Sequence, residues 1–163
     1  MVEQLKCYRT VVLKQYKMLI NADVVKQKKI DVKDRIHLGK CRMEEVIRKY
    51  FRCWLDKDID TIRMVFSDDI IYSECYGPKY KGIGQIFRWF EDWNRKGIVL
   101  QWDIKRVIVS GNIAVVEWYF KCDCEGSVDG FDGVNIAEFN EEMKICDLKE
   151  FQSKSKHYFP YGE

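Results

Sequence analysis

The stretch DDIIYSECYGPKYKG, residues 68–82, sets a carboxylate among aromatic rings. If residues 70–76 form a strand, Ile70, Tyr72, Glu74 and Tyr76 share one face, while Ile71, Ser73 and Cys75 share the other. Glu74 then stands either at an exposed sheet edge, where it carries no chemistry, or inside a pocket, where burial raises its pKa and equips it as a general base. Three further polar groups bear on that choice. Tyr50 lies one helical turn from both Val46 and Trp54, on the side of an amphipathic pattern that turns inward, so its hydroxyl meets either an interior cavity or the rim of the core. Asn135 shares a strand face with Ala137 and Phe139. Glu150, near the last strand's end, either points inward or stands at the rim paired with a lysine, and the rim is the default.

The remaining reactive residues suggest less. Cys122 and Cys124 in KCDCEG share one face, but no second Cys or His pair follows at zinc spacing. Asp129 and Asp132 in SVDGFDGV resemble part of a calcium loop without its distal Glu, which favours a turn. No Gly-rich phosphate loop and no Ser-His-Asp arrangement is evident. The sequence thus calls for no metal and no cofactor.

The elements that must position these groups are legible from periodicity. In MEEVIRKYFRCWLDKD, residues Val46, Ile47, Tyr50, Phe51, Trp54 and Leu55 recur at spacings of three and four, with Glu44, Glu45, Arg48, Lys49 and Arg52 on the polar face. DIDTIRMVFSDD predicts a short second helix capped by Asp58 or Asp60, with Ile62, Val65 and Phe66 inward. GPKYKG reads as a turn. IGQIFRWFEDWNRKG predicts a third helix with Ile83, Ile86, Phe87, Phe90 and Trp93 on its apolar stripe and Gly97 closing it. The period then drops from 3.6 to 2 through IVLQWDIKRVIVSG, NIAVVEWYFKCDCEG, GFDGVNIAEFNEE and KICDLKEFQSKSK, four strands linked by turns such as Ser110-Gly111-Asn112 and Asn140 to Met143. On VVEWYFKC the charged residues Glu117 and Lys121 define an outer face, leaving Val116, Trp118, Phe120 and Cys122 as core or pocket wall.

With 163 residues, 47% hydrophobic and 33% charged, and two prolines, the chain suits one soluble globular domain plus an appendage. No apolar run approaches a membrane span or a signal peptide; VVLKQYKMLI is broken by Lys14 and Lys17. Seven irregularly spaced cysteines fit free thiols in the cytoplasm. Residues 1–42 carry eleven Lys or Arg against four acids, so of the net charge of +2 they hold +7 and the remainder −5. This basic segment, with one helix expected over 4–20 and a weaker helix or linker ending near Gly39, lacks an Arg cluster and aromatic interleaving, so a solvated helix face is preferred to a nucleic-acid arm.

This ordered set of segments resembles the nuclear transport factor 2-like superfamily, and within it the SnoaL-like branch of polyketide cyclases and ketosteroid isomerases. The resemblance spans about residues 43–155 and rests on VIRKYFRCWLDKDIDTIRMVFSDDIIY, YKGIGQIFRWF, VVEWYFKC and FNEEMKICDLKEF. It implies an α+β fold: a cone-shaped roll of three helices on a strongly bent antiparallel β-sheet, occupying residues 43–163 behind a basic helical extension at 1–42. It further implies a pocket in which Glu74 takes the place of the family's base, Tyr50 that of the oxyanion-binding tyrosine and Asn135 that of the second oxyanion donor. Glu stands where the isomerases have Asp, and Asn where they have a protonated acid, so a general base with a Tyr and Asn clamp is implied rather than the isomerase reaction itself. Tyr72, Trp118, Phe120, Cys122 and Glu150 would line the ligand pocket. His37 and His157 fall outside the cone core, against a dehydratase of the scytalone type, and no Asp-Arg-Asp set points to an epoxide hydrolase. The expected function is a cofactor-independent isomerase or cyclase acting on a small hydrophobic carbonyl compound. The alternative is a non-catalytic ligand-binding or protein-interaction module. A homodimer through the sheet is also implied.

Overall fold

The computed structural model describes residues 32–153 and 158–162. The helix predicted over 4–20, most of the basic segment and His157 lie outside the described residues. The first described helix, α1, spans Val32–Asp56. It runs through Gly39 without a break, where the sequence suggested an end, and also through residue 42. Its pattern does what the spacing requires: Ile47, Tyr50, Phe51 and Trp54 are buried, and the opposite face pairs Arg48 with Glu44, Lys49 with Glu45 and Arg52 with Asp56 one turn apart.

Helix α2, Ile59–Val65, is capped by Asp58, whose carboxylate accepts from the backbone N–H groups of Asp60 and Thr61 and from the Thr61 hydroxyl. It runs directly into strand β1, Phe66–Ser73. A tight turn held by Glu74 N–H to Pro78 O at 2.9 Å leads to β2, Lys79–Lys81. The predicted turn in GPKYKG therefore contains a short edge strand, and Tyr80 pairs with Tyr72 across it. Helix α3, Ile83–Lys96, ends at Gly97 as read, with Ile86 and Phe90 buried.

Four long strands follow: β3 (Gly97–Ser110), β4 (Ile113–Cys124), β5 (Ser127–Phe139) and β6 (Ile145–Gln152). β5 begins at Ser127, so Asp129 and Asp132 sit in a strand rather than a turn. The six strands form one sheet in the order β2-β1-β6-β5-β4-β3. The architecture is α+β, with three helices packed on a sheet that does not close. All neighbours are antiparallel except β1 and β6, which pair in parallel, making the sheet mixed. That one parallel pair places the end of β1 next to the end of β6: Tyr72 pairs with Leu148 and Ser73 with Lys149. Glu74 and Glu150 each follow by one residue.

Two bulges interrupt β3, between Val99 and Gln101 and between Ile104 and Arg106. Each shifts the parity of the strand. Val99 and Trp102 are therefore both buried although they are three apart. Strict alternation would have turned Trp102 outward. The core is a continuous cluster joining α1, α3 and the inner faces of β1, β3, β4, β5 and β6.

Candidate active site

Between the helices and the sheet lies a cavity of about 300 Å³. α1 contributes Trp54 to its wall, α3 Trp89 and Trp93, and β3 Trp102; Trp118, Phe120, Cys122 and Cys124 come from β4 and Phe131 from β5. The segment from β1 to β2 adds Glu74, Cys75, Tyr76 and Tyr80, and β6 adds Glu150. Among the described residues, the charged groups in this lining are two carboxylates, Glu74 and Glu150.

Glu74 stands just past the end of β1, half-buried, and accepts a hydrogen bond from the Tyr80 hydroxyl at 3.1 Å. Burial raises its pKa and the Tyr80 bond partly opposes that. Glu150 is the more perturbed. Burial is the main cause that lifts its carboxyl to about 7; the Tyr72 hydrogen bond pulls the other way, the Glu74 charge pushes it further up, and the Cys75 backbone N–H counters. The Tyr72 hydroxyl donates to Glu150 Oε1. Because that proton is committed, the contact between the Tyr50 and Tyr72 hydroxyls has Tyr50 as donor. The result is a directed chain, Tyr50 to Tyr72 to Glu150. Burial first, and the Glu150 charge second, hold both phenols well above their ordinary pKa, so they remain neutral donors.

The structure brings some of the sequence-selected residues together and separates others. Glu74, Trp118, Phe120, Cys122 and Glu150 line the cavity. Glu150 points inward and takes no lysine partner among the described residues, which corrects the rim assignment; alternation along β6 turns Leu148 and Glu150 to the same side, and Tyr72 across the parallel pair supplies the hydrogen bond. Tyr72 lies behind Glu150 rather than in the wall. Tyr50 is buried with its hydroxyl engaged by Tyr72. Asn135 sits opposite Glu150 on the neighbouring strand, yet it is wholly buried, and its amide N and O have neither a hydrogen-bond partner nor accessible surface. The clamp of Tyr50 and Asn135 is thus not presented at the cavity surface: the Tyr50 hydroxyl is engaged by Tyr72, and neither residue belongs to the lining.

Trp54, Trp89, Trp102 and Tyr80 were not anticipated as pocket groups. Trp89 had a signal: it lies three residues after Ile86 and four before Trp93, on the apolar side of α3. Trp102 had none, since only the β3 bulge turns it inward. Tyr80 depends on β2, which is too short to show a period. Gly133 also matters here. A Cβ at this position would fall 2.2 Å from the Trp118 ring, so glycine lets the indole lie flat over β5.

The chain matches the family model described as "SnoaL-like domain" over residues 47–148. No curated protein sequence matches it. Among solved structures it is similar to a protein with a ketosteroid isomerase-like fold from Catenulispora acidiphila, determined in complex with trimethylamine. That match has 16% identity and a TM-score of 0.62, covering 68% of this chain and 87% of that one. An LEH-like epoxide hydrolase from M. tuberculosis is similar at 12% identity and a TM-score of 0.63, with 69% and 84% covered. A nuclear transport factor 2-like protein of unknown function from Burkholderia xenovorans matches at 16% identity and a TM-score of 0.62, with 76% and 92% covered. At such identities the likeness carries the fold and nothing further. No described helix is long and apolar enough to cross a membrane.

Proposed function

Because this chain belongs to the SnoaL-like domain family, we propose that it is a cofactor-independent proton-transfer enzyme of the isomerase or cyclase type, acting on a small hydrophobic carbonyl compound in the aromatic cavity. The observation that carries this reading is the pair of carboxylates on one cavity whose environments differ: Glu74, half-buried with one hydroxyl partner, and Glu150, lifted to about 7. Two carboxyls in such different settings, both raised but Glu150 the more, divide the roles of base and acid.

Glu74 takes a proton from the carbon next to the substrate carbonyl. Glu150, in its protonated form, donates a hydrogen bond to the oxygen on which charge develops. This is the task that the sequence reading gave to Tyr50 and Asn135. Tyr72 holds one oxygen of Glu150 and is itself held by Tyr50, so the two tyrosines orient the acid and need not touch the substrate. Nine aromatic side chains in the lining exclude water and strengthen both interactions. The reading also keeps a homodimer through the outer sheet face, where Ile108 on β3, Ile136 on β5 and Phe151 on β6 are exposed; equilibrium sedimentation reads it directly, and a monomer at all concentrations removes it.

The activity is tested without knowing the natural substrate. A panel of small enolisable ketones is incubated with the protein in D2O and loss of the α-proton signal is followed by NMR. Exchange above buffer background that falls by ~10² or more in Glu74→Gln supports the reading. Exchange equal in wild type and variant, for ketones shown to bind, overturns it.

A further inference from the structure

The composition of the cavity wall carries information about its ligand beyond size and apolarity. All five tryptophans of the chain line this one space. Burial of apolar area alone does not require that, since Leu, Ile and Val would serve as well; an indole differs in its negative π face. The rings follow one another around the wall. Tyr80 stacks on Trp89 at 4.8 Å, Trp89 meets Trp54 at 4.7 Å, and Trp54 meets Trp102 at 6.3 Å. Trp102 meets Trp118 at 5.8 Å, Trp118 meets Phe131 at 5.8 Å, and Phe131 meets Tyr76 at 5.9 Å.

The two ends of this series, Tyr80 and Tyr76, flank Glu74. Tyr80 is hydrogen-bonded to its carboxylate, and Tyr76 lies two residues on. The series of rings thus starts at a residue bonded to Glu74, and Glu74 and Glu150 stand in the same lining. Among the described residues, no lysine, arginine or histidine lines the cavity. A wall of aromatic rings completed by acidic groups, with no cation among its described residues, offers a positive charge two kinds of attraction. A neutral ligand of the same shape receives neither.

We infer that the cavity selects a small organic cation, a tertiary or quaternary ammonium group carried on the substrate, with its charge held against the Trp89, Trp54 and Trp102 faces and balanced by Glu74. The inference rests on the proposed function only in taking this cavity as the substrate site; it names the class of molecule on which proton transfer would act. An ammonium group near a carbonyl compound's reacting carbon also acidifies that carbon, which fits a carboxylate base.

Binding is measured by calorimetry and by the change in intrinsic tryptophan fluorescence, which here arises entirely from cavity residues. Choline is the probe cation and 3,3-dimethylbutan-1-ol its uncharged isostere. Choline is expected to bind at least about tenfold more tightly. Glu74→Gln should reduce choline affinity severalfold while leaving the alcohol within about twofold, and Trp89→Phe, which conserves an aromatic ring and its packing, should narrow the preference in the same direction. Equal or tighter binding of the alcohol, equal loss of both ligands in Glu74→Gln, or no binding of choline overturns the inference. Because binding needs no turnover, an intact preference for choline with no α-proton exchange would refute the enzymatic reading alone. Exchange without a preference for choline would refute only the cation.

Discussion

Replacing Glu150 by glutamine tests the buried acid through stability rather than activity. The folded carboxyl sits at about 7, well above the 4.5 of an ordinary glutamate, so the native state favours the protonated form. A carboxyl raised by folding contributes most below its unfolded pKa, and its contribution is lost as pH climbs from the unfolded value through the folded one. Over that window the wild type forfeits about 3 kcal/mol. Glutamine cannot ionise and forfeits nothing. It keeps an oxygen to accept from Tyr72 but gives up one of the carboxyl's two hydrogen-bonding oxygens, a loss of about 1 kcal/mol at every pH. Glu150→Gln is therefore expected to be slightly less stable than wild type near pH 4 and more stable by about 2 kcal/mol near pH 8, with the curves crossing between. Urea unfolding followed by tryptophan fluorescence at a series of pH values measures the difference directly. Glu74, whose pKa is also raised, titrates in both proteins and largely cancels. A difference between the two proteins that stays constant from acid to alkaline pH would refute the burial of Glu150 as described, and the acid role built on it.

Tyr72→Phe removes the hydrogen bond that favours the ionised form of Glu150, so the carboxyl should titrate above about 7, and carbon-13 NMR of labelled glutamate side chains would show the midpoint move upward. Tyr50→Phe leaves the Tyr72 bond in place, so α-proton exchange should fall by less than about tenfold; a loss of ~10² to 10³ would instead mark Tyr50 as a direct oxyanion donor. Gly133→Ala drives a methyl into the Trp118 ring and should cost about 1–3 kcal/mol while altering the fluorescence of the cavity, measured by urea unfolding and emission spectra. Asp58→Ala should lower the Tm and Asp58→Asn retain most of it, since asparagine still accepts from the N-terminal N–H groups of α2.

How far the sequence could be read follows from how local each signal is. The amphipathic spacing of α1 and α3, the Asp58 cap and the alternation of β4 and β5 depend on residues a few positions apart, and these elements formed, although α1 begins earlier than its pattern suggested and β5 takes in the Asp129–Asp132 stretch read as a turn. Glu74 stood out because one charged residue interrupts an apolar alternation. The gaps have a common origin. The parallel pairing of β1 with β6 joins segments about eighty residues apart in the chain, and no local pattern encodes it; that pairing alone sets Glu150 beside Glu74 and Tyr72. Trp102 turned inward because a bulge broke the period that sequence reasoning assumes, and Tyr80 because three residues of β2 extended the sheet edge.

The sequence by itself determined the class of fold, the inward faces of α1, α3 and β4, and the presence of a carboxylate among aromatic residues, since these follow from side-chain period and hydrophobic burial. Only the tertiary structure decided which acid is buried, that Asn135 is sealed behind the wall, and that all five tryptophans converge on one space. Those outcomes depend on strand order, register and bulges. They bring together residues whose relation in the chain carries no information about their distance in the fold.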